Sequence, residues 1–253
     1  MPLSLESAMD IVVKNKNIHG HFIAPPSKSH AQRILAAVLM LGEEFVVSNV
    51  GNSDDVLAAI QIVNALGSQT ETNGNRLTIK PRKEMPAEHV PVLDCGESAL
   101  CARLFPPVAA VLYDSFVVKA GGSLLNRNIV DDYAALKYFG LKFKTTDGNF
   151  PVDFFESKIH SGNIALNAIK TSQLASGLLM ALSFAEKDFE INIENLVSRD
   201  YLLLTIDVLK KFGRDIEIEF VNPKACKISC RQKPFAISPN IQIEGDWSGI
   251  SNI

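Results

Sequence analysis

No stretch of the sequence is apolar for long enough to cross a bilayer; every hydrophobic run is broken by polar residues well before the roughly 20 needed. The first residues, MPLSLESAMDIVVK, lack a basic segment followed by an apolar one, so no secretory signal is expected. Cysteine is scarce. Cys95, Cys101, Cys226 and Cys230 have no paired CxxC spacing, which argues against a zinc ribbon or a dithiol redox site and leaves reduced, cytoplasmic thiols as the expectation. Surplus positive charge is missing too: the formal net charge is −3 and the pI about 6.0. Neither a nucleic acid nor a membrane surface is therefore expected as a partner, and any anion site must be local. There is no glycine-rich Walker or dinucleotide loop. His19, His21, His30, His89 and His160 form no HxH or HxxxH pair with acidic support, so neither a metal nor a cofactor is expected.

What is there is a globular composition, 47% hydrophobic and 21% charged over 253 residues, enough for one large domain or two small ones. It is organised as a repeat. Apolar helical runs end at Gly67, Gly140 and Gly213, each 73 residues after the last. Phe45, Phe116 and Phe189 open short strands, FVVSNV, FVVKAG and FEINIE, and Ser29, Ser98 and Ser172 precede apolar runs in the same order. The implied unit is about 70 residues, longer than a solenoid repeat, with copies at about 21–88, 89–160 and 161–232. Each reads strand, helix, strand, helix, strand, strand. The first helix of each unit (RILAAVLML, ALCARLFPPVAAVLY, LASGLLMALSFA) is apolar nearly all round, as in a buried helix. The second is amphipathic, with Val56, Ile60, Val63 and Leu66, or Leu203, Ile206 and Leu209, at steps of three and four. Ile216, Ile218 and Phe220 alternate with Asp215, Glu217 and Glu219, so one face of that sheet meets water. The fold class is therefore α/β: an inside-out, barrel-like domain of three βαβαββ units, helices buried and sheets outside. Pro106 and Pro107 are expected to kink or restart the first helix of unit two. Residues 241–253 resemble another strand running toward a helix, cut short, and residues 1–20 fall outside the three-unit count.

Chemistry is concentrated where loops enter helices. Pro25–Arg33 runs into a buried helix, whose free N–H groups and positive dipole end attract anions; Lys28 and Arg33 add full charges, and Arg33 can lean back toward Ser29. A Ser helix cap beside two solvated bases accounts for the same residues equally well. Thr171 and Ser172 offer two hydroxyls at a helix start and Gln173 both donates and accepts, although capping alone explains that pair more simply. Asp94–Ala99 carries Glu97, which repels anions, with Arg103 one turn inside; capping is the leading explanation there. Arg127 could clamp a carboxylate, and Ser198 could cap a helix or hold phosphate. The local inference is an anion-gripping protein for a small phosphorylated metabolite.

Taken together PPSKSHAQR, DCGES, GGSLLNRNI, KTSQLASGLLMAL, LVSRDY and EGDWSGISN resemble the 5-enolpyruvylshikimate-3-phosphate synthase (3-phosphoshikimate 1-carboxyvinyltransferase) family, in order through essentially the whole chain. That resemblance implies two domains of three βαβαββ units. Residues 21–240 would form the substrate-binding domain, 1–20 would belong partly to the second domain, and 241–253 would begin it. It implies a cytoplasmic enzyme, monomeric at full length, transferring the enolpyruvyl group of phosphoenolpyruvate to the 5-hydroxyl of shikimate 3-phosphate in aromatic amino-acid and chorismate biosynthesis. This chain would be inactive alone, because the acid/base carboxylates of the family lie in the second domain. By position Lys28 would touch both substrates. Ser29, Arg33, Thr171, Ser172, Gln173, Ser198 and Tyr201 would hold shikimate 3-phosphate, and Ala99, Arg127 and Gln173 would face phosphoenolpyruvate. The family's usual Gly-Thr is Ala99-Leu100, and its Arg-Pro is Arg127-Asn128. The Ala99 methyl is then expected to disfavour glyphosate, which is bulkier than phosphoenolpyruvate; inhibition of an Ala99→Gly enzyme checks this. Two other readings remain: enolpyruvyl transfer to UDP-N-acetylglucosamine, whose first loop reads more like SGAKNA, and a non-catalytic phosphometabolite-binding module.

Overall fold

The computed structural model describes residues 23–86, 88–160, 164–167, 172–185, 188–231 and 237–247. Unit one holds α1 (Lys28–Leu41), β1 (Phe45–Ser48), α2 (Asp54–Ala65), β2 (Thr70–Asn73) and β3 (Arg76–Ile79). Unit two holds β4 (Val92–Asp94), α3 (Ala99–Leu112), β5 (Phe116–Lys119), α4 (Ile129–Asp132), β6 (Lys142–Thr146) and β7 (Asn149–Phe155). Unit three holds β8 (Ile164–Asn167), α5 (Gln173–Phe184), β9 (Phe189–Glu194), α6 (Arg199–Lys211), β10 (Asp215–Asn222) and β11 (Ala225–Arg231), after which comes β12 (Asn240–Gln242).

The sequence landmarks fall where the repeat puts them. Phe45, Phe116 and Phe189 are the first residues of β1, β5 and β9, all buried. Gly67, Gly140 and Gly213 all have positive φ, the left-handed stop that glycine makes cheap. The serine landmark shifts: Ser98 and Ser172 occupy the N-cap positions of α3 and α5, but that of α1 is Ser27, leaving Ser29 inside its first turn.

Three four-stranded sheets share one order, β12-β1-β3-β2, β4-β5-β7-β6 and β8-β9-β11-β10. The first pair in each is parallel and the others antiparallel. The leading strand of unit one is thus not its own. Among residues 23–27 only Pro26 makes a bridge, to Gly245, and β12 takes the vacant edge of β1. The segment expected to begin a second domain at 241 is tied into the first sheet at its start; residues 1–20 lie outside the described residues.

Helices α1, α3 and α5 pack against one another in the centre, and His30–Leu39 of α1 and Leu174–Ser183 of α5 are buried without a break. Sheets lie outside, with Lys142 and Lys144 of β6 and Glu217 and Glu219 of β10 facing water. The inside-out arrangement holds.

Unit two departs from expectation twice. Its second helix is one short α turn between 3-10 helices at Gly122–Asn126 and Tyr133–Phe139. Buried Tyr133, Leu136 and Phe139 stand at three-residue steps, which suits a 3-10 helix and not an α-helix. In α3, Pro106 and Pro107 neither restart nor end the helix. Pro106 cannot donate to Ala102, but the Tyr133 hydroxyl donates to that carbonyl instead. The carbonyl of Arg103, freed by Pro107, faces Gly177, where a Cβ would sit 2.5 Å from it.

Candidate functional site

Hydrogen bonds tie the first turns of α1, α2, α3, α5 and α6 into one mouth. Gln32 on α1 donates to Ser98 Oγ at 2.8 Å on the cap of α3 and to the Asp55 carbonyl at 3.0 Å on α2. Arg103 on α3 donates to Gln173 Oε1 at 3.0 Å, the first residue of α5, while an ion pair with Asp132 at 2.7 Å holds its other edge. The positive ends of several helices therefore face one region, a field suited to an anion.

Under that mouth lies Arg33, 0% exposed and without a carboxylate among its described partners. Its Nε donates to Thr205 Oγ1 at 2.8 Å and Nη1 to the Ser29 carbonyl at 2.7 Å, the backward lean expected from the spacing. Nη2 reaches Ser176 Oγ and the Tyr201 carbonyl, both at 3.3 Å. Burial lowers its pKa to about 10, so it stays charged at neutral pH. The resemblance puts Arg33 in contact with the shikimate ring. In this structure it is enclosed, because neutral oxygens of α1, α5 and α6 take up its donors. It places a positive charge beneath the site and joins three helices.

Capping was one account of the serines, and the geometry divides them. Ser27 and Ser98 cap α1 and α3, accepting from the N–H of His30 at 3.4 Å and of Cys101 at 3.3 Å. Ser172 stands at the cap of α5 yet makes no side-chain cap bond, and its Oγ, buried at 1% exposure of the residue, has no partner among the described residues. Ser198, half-buried, likewise makes no cap bond to α6. These two hydroxyls are not spent on capping. Thr171 lies outside the described residues.

Lys28 rises from the rim, paired with Asp55 at 2.8 Å. The Asp55 hydrogen bond and charge raise the Lys28 pKa, with Asp246 and Tyr201 adding to the effect. Burial alone would raise Asp55, but hydrogen bonds from Lys28 and Ser98 outweigh it and hold the carboxyl low. Tyr201 is exposed at 46%, its ring 6.0 Å from the Arg33 guanidinium.

The unit-two side is built differently. Glu97 accepts from Ser123 Oγ at 2.6 Å and Ser123 N at 3.0 Å, bonds that lower its pKa, and nearby Arg127 lowers it further. Glu97 thereby anchors the loop that carries exposed Arg127. Its Cδ would lie 2.3 Å from a Cβ at Gly122, where φ is +53°, so a side chain there would be strained and would displace Glu97. Ala99 is half-buried at the first position of α3, whereas Leu100 turns into the core.

Several residues of the mouth escaped the sequence reading. Asp55, Ser176, Thr205 and Asp132 were not singled out. The repeat could have exposed Asp55: Asn52-Ser53-Asp54-Asp55 occupies in unit one the place of the Arg127 and Ser198 loops in the others.

A family model described as EPSP synthase (3-phosphoshikimate 1-carboxyvinyltransferase) matches residues 12–251. A 3-phosphoshikimate 1-carboxyvinyltransferase from Clostridium novyi (strain NT) is 32% identical over 251 residues, covering 94% of this chain and 56% of that protein. One from Clostridium perfringens (strain SM101 / Type A) is 26% identical over 239 residues, covering 94% and 55%. A solved structure of EPSP synthase from Acinetobacter baumannii has a TM-score of 0.70 at 24% identity, over 90% of this chain and 50% of that one, a likeness of fold. The chain spans about half the length of the curated relatives it matches.

Proposed function

Since the chain belongs to the EPSP synthase (3-phosphoshikimate 1-carboxyvinyltransferase) family, we propose that it forms the shikimate 3-phosphate-binding side of an enolpyruvyl-transfer site. The donor is phosphoenolpyruvate, the acceptor the 5-hydroxyl of shikimate 3-phosphate, and inorganic phosphate is released. Unspent hydroxyls on Ser172 and Ser198, at helix starts above the buried Arg33 charge, support this reading more than any other observation. With Thr171 they hold the 3-phosphate. Lys28 and Ser29 reach the hydroxylated ring, against which the exposed face of Tyr201 packs. Gln173, oriented by Arg103, and Arg127, carried on the loop that Glu97 anchors, face phosphoenolpyruvate beside Ala99. Arg33 contributes charge and helix placement.

Binding and not turnover is the role assigned to residues 1–253. Asp55 and Glu97 are both held below the usual carboxylate range, so neither carries a proton to give at neutral pH. A cytoplasmic, monomeric full-length enzyme is part of the same proposal and rests on the family alone. Calorimetry tests the assignment: shikimate 3-phosphate should bind, more weakly as salt rises, and UDP-N-acetylglucosamine should not. Preferential binding of the nucleotide sugar would move the chain to the alternative transferase. Phosphate release from both substrates by this chain alone would refute the division of labour.

A further inference from the structure

The start of α1, which carries Lys28 and Ser29, is only as rigid as what the segment before it leans on. Ser27 N donates to the Glu244 carbonyl at 2.9 Å, Asp246 N donates to the Pro25 carbonyl at 2.7 Å, and Pro26 bridges Gly245. The segment Pro25–Ser27 is thus fixed to residues 244–246 through the backbone. Upstream, Ile243 is held by β1, its N–H donating to Ser48 O at 2.9 Å and its carbonyl accepting from Asn49 Nδ2 at 2.9 Å. At Glu244 the backbone leaves β1, and its N–H turns to His30 Nδ1 at 3.0 Å. The Glu244 carboxylate pairs with Lys211 at the end of α6.

His30 is suited to accept that bond and little else. Its imidazole is 1% exposed, wedged between α1 and α6. Because Nδ1 accepts, the neutral ring carries its proton on Nε2, which has no partner among the described residues. Nothing in the proposed substrate contacts uses it, and a leucine or valine would fill the same space more cheaply.

We infer that His30 is a positioning residue: by accepting the Glu244 N–H it pins residues 244–246 and so holds the Pro25–Ser27 segment and the first turn of α1 in their ligand-ready shape. A loop fixed before binding loses less conformational freedom when the ligand arrives, so the contact acts on affinity without touching substrate. The functional part rests on the assignment of Lys28 and Ser29 to shikimate 3-phosphate; the hydrogen bond does not.

The test uses the chain of residues 1–253 with His30→Asn, whose Oδ1 can replace Nδ1 as acceptor, and His30→Leu, which cannot accept. Amide exchange at Glu244 reads the latch, and calorimetry with shikimate 3-phosphate reads the loop. In His30→Leu the Glu244 amide should exchange about tenfold faster and binding weaken about fivefold, the size expected of one hydrogen bond. His30→Asn should restore both to within about twofold. Unchanged exchange in His30→Leu overturns the latch. Restored exchange without restored affinity in His30→Asn overturns its effect on the loop. If the wild-type chain binds no shikimate 3-phosphate while exchange responds as expected, the substrate assignment falls and the latch stands.

Discussion

The hydroxyl of Tyr133 donates to the carbonyl of Ala102, the acceptor that Pro106 leaves without its helical donor. Both groups are buried, so the bond replaces one that water cannot supply. Tyr133→Phe should destabilise the protein by about 1–3 kcal/mol, the cost of one orphaned buried acceptor. Adding Pro106→Ala returns an N–H to Ala102 and should recover part of the loss. Urea denaturation of the two single variants and the double variant measures the coupling. Strict additivity would mean that the tyrosine does not compensate the proline.

The second freed carbonyl, that of Arg103, sets how closely α3 and α5 approach. A Cβ at Gly177 would sit 2.5 Å from it and 2.9 Å from the Leu104 carbonyl, both backbone atoms that cannot swing away. Gly177→Ala should therefore cost about 1–3 kcal/mol despite alanine's better helix propensity. Because Gln173 and Ser172 begin the same helix, shikimate 3-phosphate affinity should fall as well. A thermal melt no lower than wild type would show that α5 shifts freely.

How much of this was legible varies with how local the cause is. Phe45, Phe116 and Phe189, and the glycines at 67, 140 and 213, act within their own turn or strand, and the repeat could be read from them; the all-round apolar helices and the alternation at 215–220 gave the helix-inside arrangement. Pairing of β12 with β1 could not, since the vacancy it fills is created some 200 residues away. Pro106 and Pro107 read as a kink or restart because the donor that stands in for Pro106, Tyr133, is distant in sequence. Lys28, Ser172 and Ser198 were singled out from helix-start chemistry with capping left open, whereas full burial of Arg33 contradicts the usual place of a charge and depends on Thr205 and Ser176, neither of which announces itself.

Stability should fall in mild acid because of His30. Burial lowers its pKa from 6.5 to about 4, with Lys211 and Arg33 lowering and Glu244 opposing. Between those values the unfolded chain binds a proton that the folded chain refuses. The neutral ring's contribution is thus complete above pH ~6.5, shrinks as pH falls, and is gone below ~4. Its size is up to about 3 kcal/mol. Urea midpoints at several pH values, compared with His30→Asn to subtract the carboxylates, check it. Parallel curves for the two proteins would place the His30 pKa near its ordinary value.

The two classes of group at the mouth should separate by salt. In the proposed site Ser172→Ala and Ser198→Ala would each remove a neutral donor to phosphate, a charge-assisted bond of about 1.5–3 kcal/mol, so shikimate 3-phosphate should bind about tenfold more weakly or worse. Their loss leaves the charge of the site unchanged, and affinity should still fall with salt as in the wild type. Lys28→Met removes a charge that is half exposed and shared with Asp55. Its loss should flatten the salt dependence, and it leaves the Asp55 carboxylate unpaired at the rim, which itself repels the ligand. Calorimetry at roughly 20 and 200 mM salt distinguishes them. If Lys28→Met kept the wild-type salt dependence, the attraction would have to come from buried Arg33 and the helix ends alone.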